Sequence, residues 1–108
     1  MNVPTPFQEK VYLKCSQIPK GKVTTYKLLA ESLGIKSSQA VGQALKVNPY
    51  APKVPCHCVV ASNGTIGGFF GQTEGSEIQR KIKLLASEGV VVEENKIKQF
   101  ENVKYEFK

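Results

Sequence analysis

The stretch Pro55-Cys56-His57-Cys58-Val59-Val60 sets two thiols on either side of the chain's only histidine. Three chemistries compete there. Cys-His-Cys could ligate a metal, but consecutive residues of an extended segment point to opposite sides and seldom converge on one ion. The only other cysteine, Cys15, recurs with Phe7, Val11 and Ile18 at helical spacing and reads as a small buried hydrophobe. The second reading is structural, with two buried thiols beside a hydrogen-bonded histidine. The third is nucleophilic: a thiol on a proline-stiffened loop with an imidazole at its side. A free thiol, pKa about 8.5, is only slightly ionised at neutral pH, so a neighbouring base decides whether it attacks.

The elements that must position these residues are short. Residues 6 to 17 read as a first amphipathic helix, broken by Pro19-Lys20-Gly21-Lys22. Thr24 or Thr25 can cap a second helix that turns Leu28, Leu29 and Leu33 inward and ends at Gly34. Ser37 or Ser38 can cap a third, with Val41, Ala44 and Leu45 inward. Helix, glycine-containing turn and helix make a helix-turn-helix candidate. The outer face of its second helix carries Gln39, Ala40, Gly42 and Gln43, small or polar residues that suit close approach to a duplex.

Residues 48 to 57, with prolines at 49, 52 and 55, read as irregular. Val59 to Ala61 form a predicted strand, Ser62-Asn63-Gly64 a turn, and Thr65 and Ile66 the opposite strand. Gly67, Gly68 and Gly71 surround Phe69 and Phe70 in a loop. Ile78, Ile82 and Leu85 define a last helix closed by Gly89. Val90 to Val92 and Lys96 to Lys98 flank Glu93-Glu94-Asn95 as a hairpin, and the alternation of Val103, Tyr105 and Phe107 predicts an edge strand. The expected fold is mainly α with a small β component, a winged-helix-like helix-turn-helix DNA-binding domain with a C-terminal hairpin.

The length of 108 residues fits one domain spanning 1–108. Fifteen basic against nine acidic residues give a net charge of +6, which favours a polyanionic partner. Lys22, Lys36, Lys46 and Lys53 are candidate phosphate contacts. No apolar run approaches the ~18 residues of a membrane span, so no membrane partner is expected. The N-terminal residues lack the pattern of an export signal, and an odd number of cysteines argues against a disulfide framework. A cytoplasmic location is expected, or a nuclear one in a eukaryote.

Pro-Cys-His-Cys-Val (55–59) resembles Pro-Cys-His-Arg-Val, the signature of the O6-alkylguanine-DNA alkyltransferases, also called methylated-DNA–protein-cysteine methyltransferases. The likeness extends to Gly-Lys-Val-Thr-Thr-Tyr (21–26), Ala-Val-Gly-Gln-Ala-Leu (40–45) with Asn48-Pro49, Ser-Asn-Gly-Thr-Ile-Gly-Gly-Phe (62–69) and Leu-Leu-Ala-Ser-Glu-Gly (84–89). These segments follow in the family's order and spacing over nearly all of residues 6 to 89. The resemblance implies that a guanine is rotated out of duplex DNA and that Cys56 takes the alkyl group from its O6. His57 would act as base through a water and Glu88 would orient the imidazole. Asn48 would tie the recognition helix to the active loop, and Tyr26 would help rotate the nucleotide and donate its hydroxyl to the base. The carbonyls of Cys56 and Val59 would meet the guanine amino group, and the N–H of Phe70 would face O6. Gln39, Ala40, Gly42, Lys46 and Ser62 fall at positions implied to lie on DNA, approached through the minor groove. The reaction needs no cofactor and no metal, and a monomer acting once on double-stranded DNA containing O6-alkylguanine (with O4 of thymine a further candidate target) is expected.

Three positions depart from the family. Gln39 stands where an arginine usually fills the gap left by the flipped base. Cys58 replaces the signature arginine, which in two-domain members helps join an N-terminal domain that this chain is expected to lack. Cys58 thereby becomes a candidate competing nucleophile, or a partner of Cys56 under oxidation. Phe70 replaces a residue that is small in many members and should favour methyl over benzyl adducts. Alkyltransferase-like proteins, which share the fold and base flipping, usually carry tryptophan in place of the thiol and signal a lesion rather than repair it. The presence of Cys56, His57 and Glu88 favours repair. A helix-turn-helix transcription factor would need none of the chemistry of residues 48–70 and would usually dimerise.

Overall fold

Thr5 and Gln8 close a capping box: the Thr5 hydroxyl accepts the Gln8 N–H at 3.2 Å, and the Gln8 side chain accepts the Thr5 N–H at 2.9 Å. They start α1, Pro6–Cys15, in a computed structural model that describes residues 4–50, 54–67 and 75–107. The helix stops earlier than its apolar spacing predicts because Gln17 and Ile18 bond back three residues, to Lys14 and Cys15, and tighten the chain into a turn. Val11, Tyr12 and Cys15 are buried, and the Tyr12 hydroxyl donates to the Ala44 carbonyl at 2.7 Å. That bond fastens α1 to the third helix.

The helix-turn-helix forms as its caps dictate. The Thr25 hydroxyl accepts the Leu28 N–H and begins α2, Tyr26–Ser32. The Ser37 hydroxyl accepts the Ala40 N–H and begins α3, Ser38–Lys46. Leu29, Ala30, Val41, Ala44 and Leu45 form the shared core of the pair.

The strand pairing differs from expectation. Thr24–Thr25 (β1) lies parallel to Val59–Val60 (β2), with Thr24 opposite Val59 and Thr25 opposite Val60. The predicted partner of β2, Thr65–Ile66, instead closes a tight loop in which the Ala61 N–H donates to the Thr65 carbonyl at 3.0 Å. The reason is burial: Val59 and Val60 are both fully buried, as in a strand covered on both faces, which suits parallel pairing in the core rather than a half-exposed hairpin. This pairing sets the start of α2 beside the segment that follows Cys56.

The last long helix, α4, spans Ser76–Ser87 and turns Ile78, Lys81 and Leu85 into the core. Beyond it, Val92–Glu93 (β3) and Lys96–Ile97 (β4) pair antiparallel across Glu94 and Asn95, both left-handed. The hairpin also grips the loop after β2: Ile66 N–H donates to the Asn95 carbonyl at 2.8 Å, and Ile97 N–H to Gly64 at 2.9 Å. A short helix, Phe100–Val103 (α5), interrupts the predicted edge strand. The tail then reaches the residue before β1 through a parallel bridge, Val23 to Lys104. Among the described residues no helix is long and apolar enough to cross a membrane.

Gly64 shows how closely these pieces fit. Its φ is +88°, and a Cβ there would lie 3.2 Å from the Phe100 ring. Gly64→Ala is expected to cost about 1–3 kcal/mol, from the left-handed backbone and the contact together. A lowered urea midpoint at unchanged slope checks this.

Candidate active site

Cys56, His57 and Cys58 form one turn of 3-10 helix rather than an extended strand end. Pro55 precedes the turn; its carbonyl accepts the Cys58 N–H at 2.9 Å, and the Cys56 carbonyl accepts the Val59 N–H. Successive residues of such a turn point about 120° apart, so the three side chains still diverge; among the described residues Cys56 does not join His57 and Cys58 in one cluster of ligand atoms. All three are buried, with exposures of 4%, 2% and 1%.

Among the described residues the histidine is held from one side. His57 Nε2 lies 2.8 Å from Glu88 Oε2, at the end of α4. A carboxylate only accepts, so the neutral ring carries its proton on Nε2 and leaves a lone pair on Nδ1. That Nδ1 is buried and has no hydrogen-bond partner among the described residues. Glu88 is itself placed by close packing: a Cβ at Gly21, whose φ is +87°, would lie 3.2 Å from the Glu88 carbonyl.

Burial raises the Cys56 thiol, opposed by a hydrogen bond from Asn48 and by the charges of Lys81 and Arg80. The net shift is upward, so the resting group is a thiol and attack requires removal of its proton. Cys58 is also pushed up, by burial first and then by the charge and hydrogen bond of Glu88, whose Oε1 accepts from its Sγ at 3.6 Å. It therefore keeps its proton, and the geometry does not favour it as a competing nucleophile.

Asn48 stands just past α3 and bridges to the active loop. Its Nδ2 donates to the Val54 carbonyl at 3.1 Å, while its Oδ1 accepts the Tyr50 N–H at 2.9 Å. Tyr26, the first residue of α2, lies between two glycines, with ring atoms 3.9 Å from a Cβ built on Gly42 and 3.4 Å from one built on Gly67. Burial, and then Cys56, push its pKa up to about 12, so its hydroxyl remains a donor. Gly42 thus faces Tyr26, not only the outer surface where the sequence places it.

The residue that the sequence reading missed is Lys81. It is fully buried in α4, and its Nζ donates to the carbonyls of Val59 at 2.8 Å and Ile66 at 2.7 Å. It joins the strand after the nucleophile to the stem of the following loop. The Cys56 and Val59 carbonyls, expected to meet guanine, each already accept a protein hydrogen bond.

On the outer side, Gln39 and Lys46 are exposed on α3 and Ala40 is half-buried. Ser62 lines a cleft of about 390 Å³ with Lys27, Lys36 and Ser38. Lys22 Nζ donates to the Asn102 carbonyl at 2.9 Å. Phe70, with the rest of residues 68–74, and Lys53 lie outside the described residues.

The family model described as the DNA-binding domain of 6-O-methylguanine DNA methyltransferase matches residues 6–90. A methylated-DNA–protein-cysteine methyltransferase of Saccharolobus solfataricus is 46% identical over 89 residues, 82% of this chain and 54% of that protein. The chain thus spans about half the length of such curated relatives. The crystal structure of O6-methylguanine-DNA methyltransferase from Pyrococcus kodakaraensis superposes with a TM-score of 0.69 at 45% identity, covering 80% of this chain and 47% of that one. Schizosaccharomyces pombe Atl1, in complex with damaged DNA containing O6-carboxymethylguanine, superposes with a TM-score of 0.82 at 30% identity, covering 99% of this chain and 100% of that one.

Proposed function

Since the chain belongs to the family of 6-O-methylguanine DNA methyltransferase DNA-binding domains, we propose that it repairs duplex DNA by moving an alkyl group from guanine O6 to Cys56. One observation carries this reading. A buried imidazole, anchored through Nε2 to Glu88, keeps an Nδ1 with no partner among the described residues in the same turn as a buried thiol. His57 Nδ1 takes the Cys56 proton through a water, and the sulfur attacks the alkyl carbon in line. An S–C bond forms as the C–O6 bond breaks. Its electron pair returns to the base, which takes up one proton, helped by the Tyr26 hydroxyl, and leaves as guanine. The thioether is stable, so each molecule acts once and no cofactor restores it.

The base must first leave the stack. α3 approaches the minor groove, with Gln39, Ala40 and Gly42 nearest the bases and Lys46 and the Ser62 cleft toward the phosphates. Gln39 fills the gap beside the orphaned cytosine but brings no charge. Gln39→Arg is therefore expected to raise the single-turnover rate roughly tenfold, the worth of one hydrogen bond to a charged group. Stopped-flow or quench measurement on a methylguanine duplex checks this, and an unchanged rate contradicts it.

The full-length likeness to Atl1 favours a second reading, a lesion sensor whose thiol is idle. Nucleoside analysis separates the two. Repair predicts that methylguanine disappears from the duplex in amounts equal to the protein added, with no further turnover. A sensor leaves it intact.

A further inference from the structure

Among the described residues, His57, Cys58 and Glu88 bring one nitrogen, one sulfur and one carboxylate oxygen within 4.8 Å of one another. The repair chemistry proposed above uses two of these side chains and gives the third no role. We propose that the three form a site for a divalent d10 cation of the zinc and cadmium class, and that occupancy switches the His57 base off.

The donor set is the first argument. Imidazole, thiolate and carboxylate are the three ligand types zinc takes, and three protein ligands with a water in the fourth position make a stable tetrahedral site. Geometry is the second. Metal–ligand bonds of about 2.0–2.3 Å put neighbouring ligand atoms roughly 3.3–3.6 Å apart. His57 Nε2 lies 2.8 Å from Glu88 Oε2 and Cys58 Sγ 3.6 Å from Glu88 Oε1, and with one carboxylate oxygen as ligand all three donor atoms lie within 4.8 Å, so side-chain shifts of about an ångström bring them to a tetrahedral ion. The two side chains of the turn are buried and the Glu88 side chain is 14% exposed, so the donors are held in place and solvent reaches the cluster through Glu88. Cys58 makes the difference between this cluster and a plain imidazole–carboxylate pair. An arginine at position 58, as in the resembling signature, would put a fixed cation where the metal has to sit.

The protons balance without a redox step. The cation displaces the Cys58 thiol proton to solvent as the metal–sulfur bond forms. To free the Nε2 lone pair, the imidazole proton moves from Nε2 to Nδ1, the atom with no partner among the described residues. Glu88 exchanges its two hydrogen bonds for a bond to the metal. With its proton on Nδ1, His57 can no longer accept the Cys56 proton, and alkyl transfer stops until the metal is removed.

The binding test does not depend on the repair reading; only its inhibition arm does. Cadmium titrated into the full chain is expected to give a saturable ultraviolet thiolate-to-metal charge-transfer band at one ion per chain. The band should persist in Cys56→Ser and vanish in Cys58→Ser. His57 is the only histidine, so nitrogen NMR of the imidazole in the unaltered chain reports the same event: Nε2 should shift to a metal-bound position. Zinc should arrest methyl transfer in the unaltered chain, reversibly on chelation, and lose that effect in Cys58→Ser, whose metal-free transfer continues. A band that survives Cys58→Ser or vanishes in Cys56→Ser places the ion on another thiol and overturns the proposal. So does an imidazole signal that cadmium leaves unmoved, whatever the folding of the variants. Metal binding as expected with no arrest by zinc would retain the site and refute the switch.

Discussion

Glu88→Gln is expected to slow alkyl transfer by roughly 10²–10⁴-fold, the range typical of a positioned general base. Glu88 touches neither sulfur nor substrate; its effect runs through the ring. As an acceptor-only group 2.8 Å from Nε2, it keeps the imidazole proton on that nitrogen and the lone pair on Nδ1. An amide can present its NH₂ instead. The ring then accepts through Nε2 and carries its proton on Nδ1, where it cannot serve as base. The thiol, already raised by burial, stays protonated. Single-turnover rates measured against pH check this: the loss should be largest near neutrality and shrink in alkali, where hydroxide ionises the thiol directly. Binding of the lesion duplex should change little, because the carboxylate lies behind the histidine. An unchanged rate near neutrality would remove His57 from the role of base.

Lys81→Met should be the most destabilising single change at the site. Its stem is retained, but the carbonyls of Val59 and Ile66 lose their donor, at about 1–3 kcal/mol each for a buried acceptor left unpaired. Because Val59 directly follows the nucleophile turn, transfer should also slow under conditions where the variant is fully folded. Burial lowers the Lys81 pKa to about 7, well below its unfolded value near 10.5. Between those limits the unfolded chain binds more protons, so the contribution of this residue to stability rises with pH. The stability of the native chain relative to Lys81→Met should therefore increase from pH 7 to 10, by no more than about 1.4 kcal/mol per pH unit. Urea unfolding of both chains across that range checks the sign; a gap that narrows with pH contradicts it.

Contiguity decided what the sequence could disclose. Cys56 and His57 are neighbours, so a thiol with an imidazole beside it is legible without any structure. Caps are equally local, and Thr25 and Ser37 begin their helices as their hydroxyls dictate. Glu88 lies 31 residues from His57 and entered the sequence reading through family resemblance, since spacing alone does not bring a helix end to a distant loop. The parallel pairing of β1 with β2 was hidden for the same reason: two residues of each strand, separated by more than thirty positions, carry no local signal. A neighbouring Thr65–Ile66 segment offered a false partner. Lys81 was overlooked because lysines on helices usually face solvent. A signal was nevertheless present, since Lys81 falls three residues after Ile78 and four before Leu85, squarely within the apolar stripe. The turn at Cys56 carries no local signal either, because the prolines at 49, 52 and 55 make residues 48 to 57 read as irregular.

Alkyl transfer to Cys56 leaves its mark on the mass of the protein. Intact mass after incubation with a duplex containing O6-methylguanine tests it most directly. A gain of one methyl group is expected, mapped to the peptide carrying Cys56 and absent in Cys56→Ala. Tight binding of the lesion duplex with no gain in mass would contradict it and leave a sensor with an unused thiol.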